Sequence, residues 1–294
     1  MESRKIQLVG NRSYSVSLPK RWVKEKGLKE QDIIFIDEME GNLIITAKGE
    51  EKNQPQSEGS FNLDTIKHIE EFIVFSYLKN VDRIRLTSKQ IDYNRSIQIH
   101  NVIKFLDGYE ITHEDKNSIE ITFLFKDLNI TLKRIMRRMV FLLHTGLTSI
   151  CNQDMDSVDD NETTIDRLYH MAKRLIFACM DSESMRQQNN INHKEDLFFY
   201  MSIVKKLENV GDALNMMRGS SFSKKDMEAM QTVLNFLEEV LTSSDIERLK
   251  NMLEEAQKRI KGSENEFFLM RMHGLCEDIL ENVLSISFNN TYFR

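Results

Sequence analysis

Residues 56–294 contain no proline; the two prolines of the chain are Pro19 and Pro55. Proline removes a backbone donor and clashes with the preceding helical turn, so its absence permits long unbroken helices. From Asp127 onward the apolar residues do recur at helical spacing. Helical segments are predicted over roughly 128–153, 158–186, 193–218, 224–242, 244–262 and 264–288. Breaks fall at Asp154–Ser157, Gln187–Asn192, Gly219–Ser223, Ser243–Ser244 and Gly262–Ser263, all polar or glycine-bearing. Ile165, Leu168, Tyr169, Ala172, Leu175, Ile176 and Cys179 trace one core stripe. Six helices in two groups of three predict a bundle of two three-helix units.

The N-terminal end follows a different period. Arg4–Val9 and Tyr14–Leu18 alternate around a Gly10-Asn11 turn, Pro19 opens a short helix that Gly27 stops, and Asp32–Ile36 and Asn42–Thr46 flank Glu40-Gly41. This β-β-α-β-β module of about 48 residues is too small to bury a good core alone, so dimerisation is expected. Residues 49–62 are polar and read as a linker. Residues 63–126 read as a small mixed α/β region, with helices over 63–78 and 89–106 and strands over 81–86, 109–113 and 118–125. The expected partition is therefore 1–48, 49–62, 63–126 and 127–290, the last dividing into 127–219 and 220–290. The fold class is α+β and multidomain.

Charge separates the two ends. Arg4, Lys5, Arg12, Lys20, Arg21, Lys24, Lys26 and Lys29 face only Glu2, Glu25 and Glu30 in the first thirty residues, although the whole chain carries a net charge of −6. A basic island on an acidic protein is a local electrostatic footprint. Cys151, Cys179 and Cys276 form no Cys-x-x-Cys pair and are expected to be reduced packing residues in a cytoplasm. No window has the roughly 18 apolar residues a membrane span requires, so a cytoplasmic protein without membrane insertion is expected. Neither a phosphate-binding loop, nor a nucleophile elbow, nor a zinc-protease helix is present, and an enzyme is not expected.

Two Glu-x-x-x-Asp pairs carry the remaining chemistry. Glu162 and Asp166 lie one turn apart on the second bundle helix, and Glu208 and Asp212 do so on the third. The spacing puts each pair on one helix face, with His170 extending the first ridge. Two such faces brought together make a set of oxygen ligands suited to a hard cation such as Mg²⁺ or Mn²⁺, or to Fe or Zn if His170 joins. The competing interpretation is a solvated acidic face paired with Arg167, Lys173 and Lys206. His144 and His273 read as packing or surface histidines.

The segment RKIQLVGNRSYSVSLPKRWVKEKGL, Arg4–Leu28, resembles the AbrB/SpoVT family of swapped-hairpin DNA-binding domains, with Gln31 where that family usually has glycine. The resemblance implies a dimeric β-barrel of interleaved hairpins. It implies DNA contacts from Arg4, Lys5 and Arg12 on the strand and turn side, and from Lys20, Arg21 and Lys24 on the helix side. The segments ETTIDRLYHMAKR and KKLENVGDALNM are similar to the motif helices of the PhoU family of phosphate-uptake regulators. That resemblance implies metal ligation by Glu162, Asp166, Glu208 and Asp212. In CEDILENVL, Glu277 and Glu281 stand at the motif position of the second half, with glutamate replacing the final aspartate. Together the two likenesses imply a cytoplasmic, homodimeric, phosphate-responsive regulator that lowers phosphate uptake. It would bind the control regions of phosphate-transport genes, with a phosphate ABC transporter ATPase subunit as a further candidate partner. An adaptor that docks on a transporter subunit or sensor, with the N-terminal module serving only dimerisation, is the alternative.

Overall fold

The computed structural model describes residues 3–10, 13–39, 42–47, 58–125, 130–243 and 245–292. The chain divides into two compact units, Met1–Gln56 and Ser57–Arg294.

In the first unit, β1 (Gln7–Val9) pairs antiparallel with β2 (Ser13–Ser15), helix α1 spans Lys20–Glu25, and β3 (Ile34–Met39) pairs antiparallel with β4 (Asn42–Ala47). Gly10 and Gly27 take φ of +63°, the left-handed region in which glycine lacks the side-chain penalty. Gln31 takes φ of +75° with a side chain, and Asp32 accepts from the Lys29 N–H at 2.7 Å to close that turn. The two hairpins are separate sheets, and among the described residues the single chain forms no closed barrel. Interleaved hairpins require a second copy. The apolar side chains agree with this, because Ile6, Leu8, Val9, Tyr14, Val16, Ile33, Phe35, Ile36 and Leu43 are all exposed, Tyr14 at 72%.

The second unit opens on β5 (Glu58–Asn62), which corrects the expected linker of 49–62. The strand is polar because it lies at a sheet edge, where only alternate residues meet the interior. After a 3₁₀ turn at Leu63–Thr65 come α2 (Ile69–Leu78), β6 (Arg83–Thr87), α3 (Tyr93–Ile103), β7 (Tyr109–Glu114) and β8 (Ser118–Phe123). The expected helices of this region are thus shorter at their N-terminal ends. The Asn62 side chain accepts from the Asp64 N–H, and Asp92 caps α3 through the Arg95 N–H. The sheet order is β5-β6-β8-β7, with β5 parallel to β6 and the other pairs antiparallel. Ile84, Leu86, Ile119 and Ile121 alternate onto one face, where Ile73, Tyr77 and Ile99 of the helices cover them.

The helical region comprises α4 (Leu132–Cys151), α5 (Met155–Asp181), the short α6 (Glu183–Gln188), α7 (Asp196–Met216), α8 (Lys224–Val240), α9 (Ile246–Ile260) and α10 (Glu266–Tyr292). Helices α4, α5 and α7 pack mutually, as do α8, α9 and α10, and the two sets meet along α7–α10 and α4–α8. One apolar core runs through both sets. At the start of α8 a reciprocal cap forms, in which Ser223 and Asp226 bind each other's backbone N–H. Asp226 also accepts from the Asn265 N–H, tying α8 to the start of α10. Among the described residues, no helix is long and apolar enough to cross a membrane.

The bundle and the α/β region are joined through α5. Arg174 is only 4% exposed. Its guanidinium donates to the Tyr77 carbonyl, lies 3.6 Å from Asp82 Oδ1 and stacks 3.8 Å from the Phe123 ring centroid. About two helical turns earlier, Arg167 donates to Asp107 through Nε at 2.6 Å.

Candidate functional site

Helices α5 and α7 bring the two acidic pairs together. Glu162, Asp166, Glu208 and Asp212 are all partly buried at this crossing. Gly211 lies within it, where a Cβ would sit 3.4 Å from Ile165 Cδ1 and 3.6 Å from Leu143 Cδ2. The cluster's charges are unequally balanced. Burial pushes the Asp166 carboxyl up to about 6, and the neighbouring charges of Glu208, Glu162 and Asp212 push it the same way, with Lys205 opposing. Glu208, with a side chain 13% exposed, accepts from Lys205 Nζ at 2.5 Å. Glu162 accepts from the Asn215 side-chain amide, leaving the Asn215 Oδ1 atom buried without a partner.

Next to the acids stands a basic and aromatic margin. The Tyr169 ring has Lys173 Nζ 4.9 Å and Lys205 Nζ 5.2 Å from its centroid. His170 is largely buried, and its Nδ1 has no partner. Burial pushes its pKa down to about 4, aided by Lys173 and Lys205, so the ring is neutral at physiological pH. Lys173 is likewise lowered by burial and by Lys205. Burial also opposes the charge on Lys205, but the hydrogen bond and charge of Glu208 outweigh it and the ammonium is held above its usual range.

The donor set is chemically suited to a hard cation: four carboxylates, crowded enough to raise the Asp166 carboxyl. Among the described residues, however, no three His, Cys, Asp or Glu side chains are already placed as a ligand set. Two of the carboxylates are spent on Lys205 and Asn215. Lys205 thus supplies within the chain part of the positive charge that a metal would bring.

Glu277 and Glu281 lie on α10, facing α9 across a cleft of about 380 Å³ that Lys250, Glu254 and Gln257 also line. His273 is buried there, with Nε2 3.0 Å from the Leu253 carbonyl and Nδ1 3.5 Å from Glu277. A lysine and a glutamine thus stand on the facing helix, and the second half does not repeat the four-carboxylate arrangement. Cys179 and Cys276 are buried free thiols.

In the first unit, Arg4, Lys5, Lys20, Arg21 and Lys24 are exposed or partly so, and Arg21 pairs with Glu25 at 2.7 Å within α1. Arg12 lies outside the described residues. Sequence reasoning missed Asn215 and Arg174, and it took Tyr169 for a core position, whereas the ring is only partly buried and carries two lysines. Asn215 was legible as the residue three beyond Asp212 on the same ridge. Arg174 immediately precedes an apolar run, Leu175-Ile176-Phe177, without an acidic neighbour in sequence, which is the signal of a buried cation.

Residues 7–53 match the family described as "Antidote-toxin recognition MazE, bacterial antitoxin". The N-terminal unit is a MazE/AbrB-like domain. No curated protein and no solved structure matches the chain.

Proposed function

We propose that the chain is a homodimeric, DNA-binding transcriptional regulator whose helical bundle is a cation-dependent sensor in the control of phosphate uptake. The observation that carries this is the crossing of α5 and α7, where Glu162, Asp166, Glu208 and Asp212 converge in the same chain as a MazE/AbrB-like module. The phosphate response and negative regulation of transport are taken from the resemblance of the segments around these carboxylates to the motif helices of PhoU proteins. Mg²⁺ or Mn²⁺ suits the four carboxylates best, and His170 with its unpartnered Nδ1 would admit Fe or Zn. Such an ion would compete with Lys205 for Glu208 and bring at least two positive charges to the crossing. The exposed apolar side chains of the first unit favour dimerisation, and Lys20, Arg21 and Lys24, with Arg4, Lys5 and Arg12, supply phosphate-neutralising charge for DNA.

The test is a titration of labelled DNA from upstream of phosphate-transport genes against a scrambled control. It is run at two salt concentrations, with and without Mn²⁺ and phosphate. Tighter binding to the native sequence, lost in Lys20→Ala/Arg21→Ala/Lys24→Ala and altered by Mn²⁺, is expected. Equal weak binding to both DNAs, or none, would refute it. The chain would then be a cytoplasmic adaptor, and a phosphate ABC transporter ATPase subunit would be the partner to try.

A further inference from the structure

Helix α4 carries Lys133, Arg134, Arg137 and Arg138 on its exposed face. Among the described residues none of the four pairs with a carboxylate, and the first turn of α4 contains no acidic residue. Folding does not account for this. Lys133/Arg137 and Arg134/Arg138 are like-charge pairs one turn apart, each of which destabilises an exposed helix. Lys133 and Arg134 also stand in the first turn, where the helix dipole disfavours cations. The protein as a whole is acidic, with a net charge of −6. An uncompensated basic stripe, maintained against helix stability on an acidic chain, is complementary to a polyanion.

The chemistry of the stripe narrows the choice. Three of the four cations are arginines, whose planar forks grip phosphate oxygens in pairs. Successive pairs stand about 6 Å apart along the helix axis, at about 1.5 Å rise per residue. The Arg138 guanidinium lies 5.0 Å from the Phe141 ring centroid, which steadies it without taking up its N–H donors. Resting on the regulator reading above, we propose that Lys133, Arg134, Arg137 and Arg138 are a second phosphate-backbone contact for DNA, separate from the N-terminal module. Two linked contacts raise affinity because the second forms at high effective concentration.

The experiment measures DNA affinity of the full-length chain across a salt series. In Lys133→Gln/Arg134→Gln/Arg137→Gln/Arg138→Gln, the slope of log affinity against log salt becomes shallower by about 0.9 for each DNA phosphate left unneutralised. In Arg134→Lys/Arg137→Lys/Arg138→Lys the slope stays near the wild-type value, since charge is kept. The glutamine variant melts within about 2 °C of wild type, because relief of the two like-charge pairs offsets loss of the Arg138–Phe141 contact, and this separates a binding defect from unfolding. A glutamine variant whose slope stays within about 0.5 of wild type, while Lys20→Ala/Arg21→Ala/Lys24→Ala still weakens binding, overturns the α4 contact alone and assigns the stripe to an acidic protein. If the wild-type chain binds no DNA, the regulator reading and the α4 contact fall together.

Discussion

Replacing Asp166 with asparagine should stabilise the second unit, against the usual effect of altering a partly buried polar residue. In the folded protein the Asp166 carboxyl is raised from 3.8 to about 6 by burial and by Glu208, Glu162 and Asp212. The folded state therefore holds its proton more tightly than the unfolded chain does. The resulting stability is complete below about pH 4 and is lost as pH rises through about 6. A displacement of this size corresponds to at most about 3 kcal/mol. Partial solvation of the crossing reduces this to about 1–2 kcal/mol. Asparagine keeps the shape and discards the charge. Asp166→Asn should accordingly raise the melting temperature at pH 7.5, with divalent ions chelated, by about 2–8 °C, given roughly 2–4 °C per kcal/mol for a unit of this size. At pH 4 it should change little. His170 works in the opposite direction, because its folded pKa of about 4 makes its contribution full above about 6.5 and lost as pH falls through 4. The two trends offset in the wild type, so the informative quantity is the difference between variant and wild type at each pH, followed by thermal circular dichroism. A variant that melts lower than wild type at pH 7.5, or a gain of equal size at pH 4, would refute the crowded-carboxylate account. Added Mn²⁺ should then stabilise the wild type more than the variant.

Arg174→Met should destabilise the second unit by about 2–4 kcal/mol in urea titration, since it leaves Asp82 without its cation; the Tyr77 carbonyl still accepts from the Asn80 N–H, and partial exposure of Asp82 keeps the loss at the low end for a broken buried pair. A cost under about 0.5 kcal/mol, the scale of an ordinary surface substitution, would mean that the guanidinium does not join the sheet to the bundle. Gly211→Ala should be neutral or stabilising by up to about 1 kcal/mol, because the added methyl meets Ile165 at ordinary contact distance while the helix gains alanine's propensity. A clear loss of melting temperature would show that α5 and α7 must approach more closely than they do here.

The bundle was legible because its signals are local. Proline is absent, the core stripes recur at 3.6 residues, and Ser223 and Gly262 stand at helix ends. Paired carboxylates at a spacing of four were legible for the same reason. What was hidden depends on residues distant in the chain. β5 is Glu58-Gly-Ser-Phe-Asn, a sequence with one large apolar side chain, and only its pairing with β6 makes it a strand. Asn215 reaches Glu162 across 53 positions, and Arg174 reaches Tyr77 across 97. Neither approach leaves a mark in local periodicity. The left-handed backbone at Gln31 is an intermediate case: the position predicts a turn, and the residue type disguises it.

Helix α5 presents the carboxylates on one ridge and Arg167 and Arg174 on another, within a single unbroken span. The angular phase between those ridges is set by the number of residues separating them. One residue inserted between Asp166 and Arg174 would turn one ridge by about 100° relative to the other. Either the carboxylates or the arginine anchor would then face the wrong neighbour. This stretch of α5 should tolerate substitution more readily than any change of length.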